Sequence, residues 1–315
     1  MKRKNDCLNR WKGVAAFGVV LIHCGFFLGT YGEIPSCLAR FAVPLFFMIS
    51  GYFSYGRNRE TIKRRGRHIL YLLLLGNGVY LLWELWKGAA LSGIFSKGWF
   101  VDFLLWNRSP VEPHLWFLGA LFYCYLFYGL LIHFKKAYFL IPVLLGMNLL
   151  LGEGREWLGF TVRVRCIRSF WLTGLPFFLW GHWFASSEKK NRKLSWAAIA
   201  GGMVLSVAEF RLAGYQELHL GNILMAGGMI LLSITDPEWG SGRFLTRVGE
   251  LDSGHIYLWH LLVRDSVKMV WKGTGLHKAA VGYQIVGVLC VMAGSWGLAE
   301  ILNALKGGRR EENRV

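Results

Sequence analysis

Apolar runs of about twenty residues recur along this chain from residue 12 to residue 305, and no other feature restricts its fold as strongly. A hydrocarbon layer about 30 Å thick is crossed by roughly 20 residues of helix, each adding about 1.5 Å. Runs that meet or approach this length fall near residues 12–31, 35–55, 69–90, 114–133, 137–152, 168–185, 194–211, 219–235, 254–272 and 281–305, the fifth and eighth being short. In lipid each backbone N–H and C=O must find its partner within the segment, and these runs are too long and continuous for barrel strands. The expected fold class is therefore all-α: a polytopic membrane helical bundle of about ten transmembrane helices. Composition agrees, with 54% apolar residues among 315 and a mean hydropathy of +0.36.

A net charge of +17 would point to nucleic acid in a soluble chain. Here the positions of the charges matter more than their sum. If the N-terminus lies inside, the predicted cytoplasmic segments with their adjoining span ends hold 23 Lys and Arg and the predicted outer loops with theirs 11, while Arg40 and Arg264 lie deeper inside spans. This bias predicts a multi-pass membrane protein with both ends in the cytoplasm and therefore an even number of spans. Attraction to anionic lipid accounts for the basic runs, and no nucleic-acid partner is expected.

The charged start MKRKND followed by an apolar stretch has the outline of a secretory signal. The stretch is long, however, and no small-residue cleavage site follows, so a first transmembrane helix is expected. The six cysteines show no metal-like spacing and mostly fall in or beside apolar runs, so neither a disulfide nor a metal site is expected. No linker or tandem repeat divides the chain, which is expected to form a single membrane domain over residues 1–315. Segments 92–113 and 152–168 are the unusual outer stretches, with the character either of interfacial caps over an outward opening or of plain loops at the headgroup level.

Chemistry in lipid is best sought at ionisable residues that the bilayer should exclude. His23 lies eleven residues after Lys12, close to three whole turns, so both project from one helix face about 16 Å apart along the axis. Lys12 is placed to hold an anion at the inner surface and His23 to move a proton in a dry interior. A single intramembrane histidine also serves commonly as a hydrogen-bond donor to a nearby carbonyl.

At these residues the sequence resembles a known family, the membrane acyltransferases of acyltransferase family 3. The likeness begins with WKGVAAFGVVLIH (11–23), a basic residue, ten others and then His. It continues through RFAVPLFFMISGYF (40–53), IKRRGRHIL (62–70), HLWFLGALF (114–122), LPFFLWG (175–181) and GHIYLWH (254–260), in family order across most of the chain. The family usually carries Arg where this chain has Lys12, and often Asp where it has Asn9. Arg grips a phosphate with two parallel bonds whereas Lys acts as a point charge, and Arg10 is near enough in sequence to share the task.

The resemblance implies transfer of an acyl group, commonly acetyl, from cytoplasmic acyl-CoA to a hydroxyl or amine at the membrane. His23 would be the general base. The CoA phosphates would meet Lys12 and Arg10, together with the basic run that includes Lys63, Arg64, Arg65 and Arg67. His260, about two turns into the ninth span and one turn from Tyr257, lies at a depth that suits a catalytic partner, or else makes structural hydrogen bonds. Arg40 sits in the outer half of the second span, where it either faces a wet cavity and binds an acceptor group or snorkels outward. Pro44 is expected to kink that span, while Ser50 and Gly51 allow a neighbour or ligand to approach closely. His114 and Trp116 enter the fourth span from outside, as acceptor contacts or as interface anchors.

The acceptor is not specified by these residues: peptidoglycan, envelope polysaccharide and small molecules all present suitable hydroxyls. Two other classes of function fit polar groups inside a helical bundle. One is a transporter, because RFAVPLFFMISGYF is also similar to the membrane half of the membrane-bound serine racemases of vancomycin resistance, without their soluble racemase domain. The other is a binding scaffold that keeps the fold without turnover.

Overall fold

The computed structural model describes residues 5–24, 33–95, 97–131, 135–187, 190–273 and 283–312, with no strand among the described residues. Parts of three expected spans, residues 25–31, 132–133 and 281–282, lie outside the described residues. In chain order the principal helices are α1 (Asp6–Cys24), α2 (Glu33–Ala39), α3 (Ala42–Ser54), α4 (Arg59–Trp86), α5 (Trp116–Leu131), α6 (Leu140–Leu151), α7 (Leu175–Ser186), α8 (Arg192–Ala213), α9 (Leu220–Thr235), α10 (Ser253–Gly273) and α11 (Val288–Glu312).

Four helical stretches among the described residues are long and apolar enough to cross a membrane: Glu33–Ser54, Arg59–Trp86, Arg192–Ala213 and Gln284–Leu305. Shorter apolar helices cover Ala137–Leu151 and Leu220–Thr235. Apolar side chains of α4 such as Tyr71, Leu74, Leu82 and Trp86 stand outward rather than in a protein core, as suits helices solvated by lipid.

Two boundaries differ from the expectation, each for a local reason. The α4 helix starts at Arg59, so the basic run that precedes the expected span is itself helical. Asn58 caps it in extended conformation, its side chain accepting the Thr61 N–H at 3.0 Å, which pairs one of the first-turn amides that helices leave unsatisfied. The second span breaks at Arg40 and Phe41, between α2 and α3. Pro44 lacks the N–H that would bond the Arg40 carbonyl four residues back, and its ring crowds that carbonyl. The proline is therefore accommodated in the first turn of a new helix.

The chain forms two compact units. The first comprises residues 1–46, 189–215 and 219–315. Its core lies where α1 meets α10 and α11: Ala16, Val20, Ile256, Val291 and Ala299 are buried together, with Phe17, Val263 and Val267 packed against them. Backbone approaches are close along α1. A Cβ at Gly13 would come within 2.2 Å of the Leu245 carbonyl oxygen, and one at Gly249 within 1.7 Å of the Asn9 carbonyl oxygen. Residues 244–252, which include a widened helical turn at Val248–Asp252, thus clamp the first half of α1 main chain to main chain.

The second unit comprises residues 47–188 and 216–218. Within it a Cβ at Gly51 would meet the Phe178 carbonyl oxygen at 1.9 Å and one at Gly181 the Met48 carbonyl oxygen at 1.9 Å, so α3 and α7 touch backbone to backbone. The stretches expected as outer caps contain short helices, Trp99–Trp106 and Val164–Ile167 among them. Arg165 joins them by donating to both carboxylate oxygens of Asp102 at 2.6 and 2.7 Å. Arg168 grips Glu217 through two bonds of 2.6 and 2.7 Å.

Candidate active site

The α1 helix is continuous from Asp6 to Cys24, so Lys12 and His23 keep their eleven-residue separation, about 16 Å along the axis. The small residues that let α1 sit deep in the first unit bring His23 against α10. There the His23 and His260 rings lie 5.1 Å apart, centroid to centroid, tilted by 44°. His260 is fully buried and His23 half-buried.

The hydrogen bonding of His260 decides its tautomer. Its Nδ1 lies 2.8 Å from the Tyr257 carbonyl oxygen and 3.2 Å from that of Ile256. A carbonyl can only accept, so Nδ1 carries the proton and, in the neutral ring, Nε2 is the basic nitrogen. The Tyr257 ring lies 6.4 Å from that of His260. One turn beyond His260, Arg264 binds the Asp265 carboxylate through Nε at 3.1 Å and Nη2 at 2.9 Å, and its Nη1 lies 3.5 Å from the His23 carbonyl oxygen. Two imidazoles and a guanidinium thus gather at one level of α1 and α10. Such a group can accept, hold and return a proton and can steady a developing negative charge.

Towards the start of α1, Lys12 is half-buried, and Glu250 supplies the negative charge beside it. Arg10 lies with its guanidinium carbon 4.2 Å over the Trp239 ring, on which Trp11 also stacks at 5.3 Å. Gly240, at φ +85°, leaves room for the stem of Arg10: a Cβ there would fall 2.4 Å from its Cδ. Arg40, also in the first unit, is buried against Tyr215, donating from Nε to the hydroxyl at 3.0 Å with its guanidinium 4.7 Å over the ring.

In the second unit a groove of about 1000 Å³ runs along α4 and α5. Arg57, Arg59, Lys63 and Arg67 make its basic rim, while Phe122, Tyr125 and Tyr128 supply apolar lining. Arg64 and Arg67 are exposed and Arg65 is half-buried, close enough to Tyr125 and Tyr128 to act on both electrostatically. Arg67 pairs with Glu60 at 3.1 Å, but both side chains are more than 70% exposed, so the pair stabilises little. Ser50 is in hydrogen-bond contact with Tyr125.

His114 is buried edge-on to Tyr80, ring centroids 5.2 Å apart, with Nδ1 3.9 Å from a Glu112 carboxylate oxygen. Trp116 packs 6.2 Å from Phe47 and its carbonyl accepts from Asn107 Nδ2 at 3.2 Å. Asn107 has a φ of +47° and is wedged against Gly119, which fixes the turn leading to both residues.

Among the sequence-derived candidates, the structure gathers His23, His260 and Tyr257 at one site. It sets Lys12 and Arg10 further down α1, and puts Arg67 on the groove of the second unit. Two groups escaped the sequence reasoning. Arg264 and Asp265 form a charged pair inside an expected span one turn after a histidine, a signal that was available but unweighted. His182 is held between two tyrosines, with Nε2 2.9 Å from the Tyr128 hydroxyl and Nδ1 2.7 Å from that of Tyr138, and nothing local in the sequence announces the arrangement.

Comparison with known proteins bears on the same residues. A serine/alanine racemase of Enterococcus gallinarum is 32% identical over 171 residues, which is 50% of this chain and 24% of that protein. The matched stretch therefore spans about a quarter of that relative's length. No solved structure matches the chain. The acyltransferase 3 family model, described as an acyltransferase domain, aligns over residues 5–300 and so takes in the α1 and α10 histidines together. On that near-complete alignment the chain belongs to the acyltransferase 3 family.

Proposed function

We propose that this protein is an integral membrane acyltransferase of the bacterial cytoplasmic membrane. It would move an acyl group, acetyl being the expected one, from cytoplasmic acyl-CoA to a hydroxyl or amine. The acceptor would be peptidoglycan, an envelope polysaccharide or a small molecule. The observation that carries the proposal is the 5.1 Å contact between the His23 and His260 rings within an acyltransferase family chain.

In the proposed reaction neutral His23 takes the proton of the acceptor O–H as that oxygen attacks the thioester carbonyl carbon. The tetrahedral intermediate collapses, the C–S bond breaks, and the imidazolium returns its proton to the departing CoA sulfur. One ester and one thiol replace one thioester and one hydroxyl, and no metal takes part. His260, with its proton held on Nδ1 by main-chain carbonyls, offers a basic Nε2 to share the charge that His23 gains.

Lys12 and Arg10, and the run of Lys63, Arg64, Arg65 and Arg67, are the proposed contacts of the CoA phosphates. Tyr257, Arg40, Ser50, His114 and Trp116 are the proposed acceptor contacts. The test is release of free CoA from acetyl-CoA by purified protein in proteoliposomes with envelope extract added. The expected result is protein-dependent release with a labelled acetyl group on an extract component. Movement of labelled serine across the bilayer without any CoA release would replace the enzyme with a transporter.

A further inference from the structure

We infer that Arg264 is a positioning residue that sets His23 against His260 by holding the main chain of α1. The inference rests on the acid–base role proposed for His23.

The seam between α1 and α10 is apolar through Ala16, Val20, Ile256, Val263 and Val267. Apolar contact is non-directional, so it draws the two helices together without fixing rotation or axial slip to the fraction of an ångström that proton transfer requires. Directional contacts must supply that, and Arg264 is built to do so. Residues i and i+1 of a helix do not face one another, so Arg264 has to fold back to reach Asp265. It does so through both Nε and Nη2, at 3.1 and 2.9 Å, onto one carboxylate oxygen. Two bonds from one planar fork to one anion fix the plane of the guanidinium.

The nitrogen left over, Nη1, points across the interface to the carbonyl oxygen of His23 itself, 3.5 Å away. This contact is long for a hydrogen bond and acts as charge on dipole, strengthened by low surrounding dielectric because Arg264 and Asp265 side chains are only 21% and 17% exposed. Lys268, one further turn along α10, adds its charge beside Cys24, the next residue of α1. Arg264 thus bears directly on the main chain at the residue whose imidazole is proposed to react. His260, one turn earlier on the same helix, is positioned by its own main-chain bonds. Asp265, Arg264, the His23 carbonyl and the two rings thus form one chain of orientation, in which Arg264 touches no reacting atom.

The experiment compares Arg264→Gln, Arg264→Lys, Asp265→Asn and His23→Ala, purified in the same detergent and reconstituted with acetyl-CoA and acceptor extract. An ångström-scale displacement of a catalytic group costs up to about a hundredfold, so Arg264→Gln is expected to lower kcat by about ten- to a hundredfold. Its donor KM should stay within about twofold and its thermal midpoint close to wild type, because donor contacts and the apolar seam are untouched. Arg264→Lys should recover part of the rate, Asp265→Asn should lose less than Arg264→Gln, and the pH profile of kcat should shift in Arg264→Gln but not in Arg264→Lys.

Wild-type kcat and pH profile in Arg264→Gln, alongside an inactive His23→Ala, would overturn the positioning role and leave the proposed function intact. Loss of kcat in step with the thermal midpoint in both Arg264 variants would also overturn it, as a plain stability effect. Full turnover in His23→Ala, or no CoA release by wild type with any extract, would remove the acid–base role and this inference with it.

Discussion

His260 donates its Nδ1 proton to the carbonyl of Tyr257 at 2.8 Å while its ring lies 5.1 Å from that of His23. The bond makes the second imidazole a fixed base rather than a rotor, so the two histidines should contribute unequally. His23→Ala is expected to reduce turnover by roughly two to four orders of magnitude with acetyl-CoA binding nearly intact, since the proton moves only in the transition state. His260→Asn places an amide nitrogen near the Nδ1 position and keeps the main-chain bond while deleting Nε2. Its loss should be smaller, about tenfold, and seen in the pH profile of kcat. Equal losses in the two variants, measured by CoA release, would contradict this division.

The proposed donor contacts should separate from the proposed chemistry. Lys12→Ala is expected to weaken acetyl-CoA binding with less effect on kcat, and Lys12→Arg to retain or improve activity, because Arg can grip a phosphate bidentately. Neutralising Arg64, Arg65 and Arg67 together should weaken binding and flatten its dependence on ionic strength, since exposed charges are screened beyond about 8 Å in physiological salt. Calorimetric titration with acetyl-CoA at two salt concentrations checks both; unchanged affinity would put the donor elsewhere.

Close backbone contact makes a sharp stability prediction at Gly249. Its Cβ would stand 1.7 Å from the Asn9 carbonyl oxygen and 2.6 Å from the Gly13 amide nitrogen, both main-chain atoms that cannot swing aside. Gly249→Ala should therefore destabilise by about 1–3 kcal/mol or more. At Gly297, where nothing lies within 4 Å, the same change should be neutral or slightly stabilising. Thermal unfolding in detergent reads both, and a tolerated Gly249→Ala would refute the clamp on α1.

Asp252 gives a pH dependence with a definite sign. It is fully buried, Asn303 donates to it at 2.7 Å, and burial first and the nearby Glu300 second push its carboxyl above the ordinary carboxylate range. A group raised in the folded state binds its proton more tightly folded than unfolded. Its contribution is complete below the unfolded value and is lost as pH rises through the folded one. Asp252→Asn has no proton to lose, so its thermal midpoint relative to wild type should climb from pH 4 towards neutrality. A constant difference across that range would exclude the effect.

The alternation of basic loops predicts that reporters fused at Lys190 and at the C-terminus report cytoplasm while those at Arg108 and Tyr215 report the outside. An inverted signal at Arg108 would undo the expected order of spans.

Helical character was legible in the sequence because it depends on local rules. A backbone that must satisfy itself in lipid can do so only as a helix over runs of this length, and the period of 3.6 residues puts Lys12 and His23 on one face whatever surrounds them. Pro44 pointed to an irregular second span for the same reason, although the break itself falls at Arg40, the residue whose carbonyl the proline fails to bond. The start of α4 was locally written too, in the Asn58 cap. The pairing of His23 with His260 was not, nor was the reach of Arg264 across to α1 or the seat of His182 between two tyrosines. Those contacts depend on how closely two helices approach and at what rotation. That is decided by main-chain contacts at residues such as Gly13 and Gly249 and by interlocking of the apolar seam, quantities no local periodicity contains.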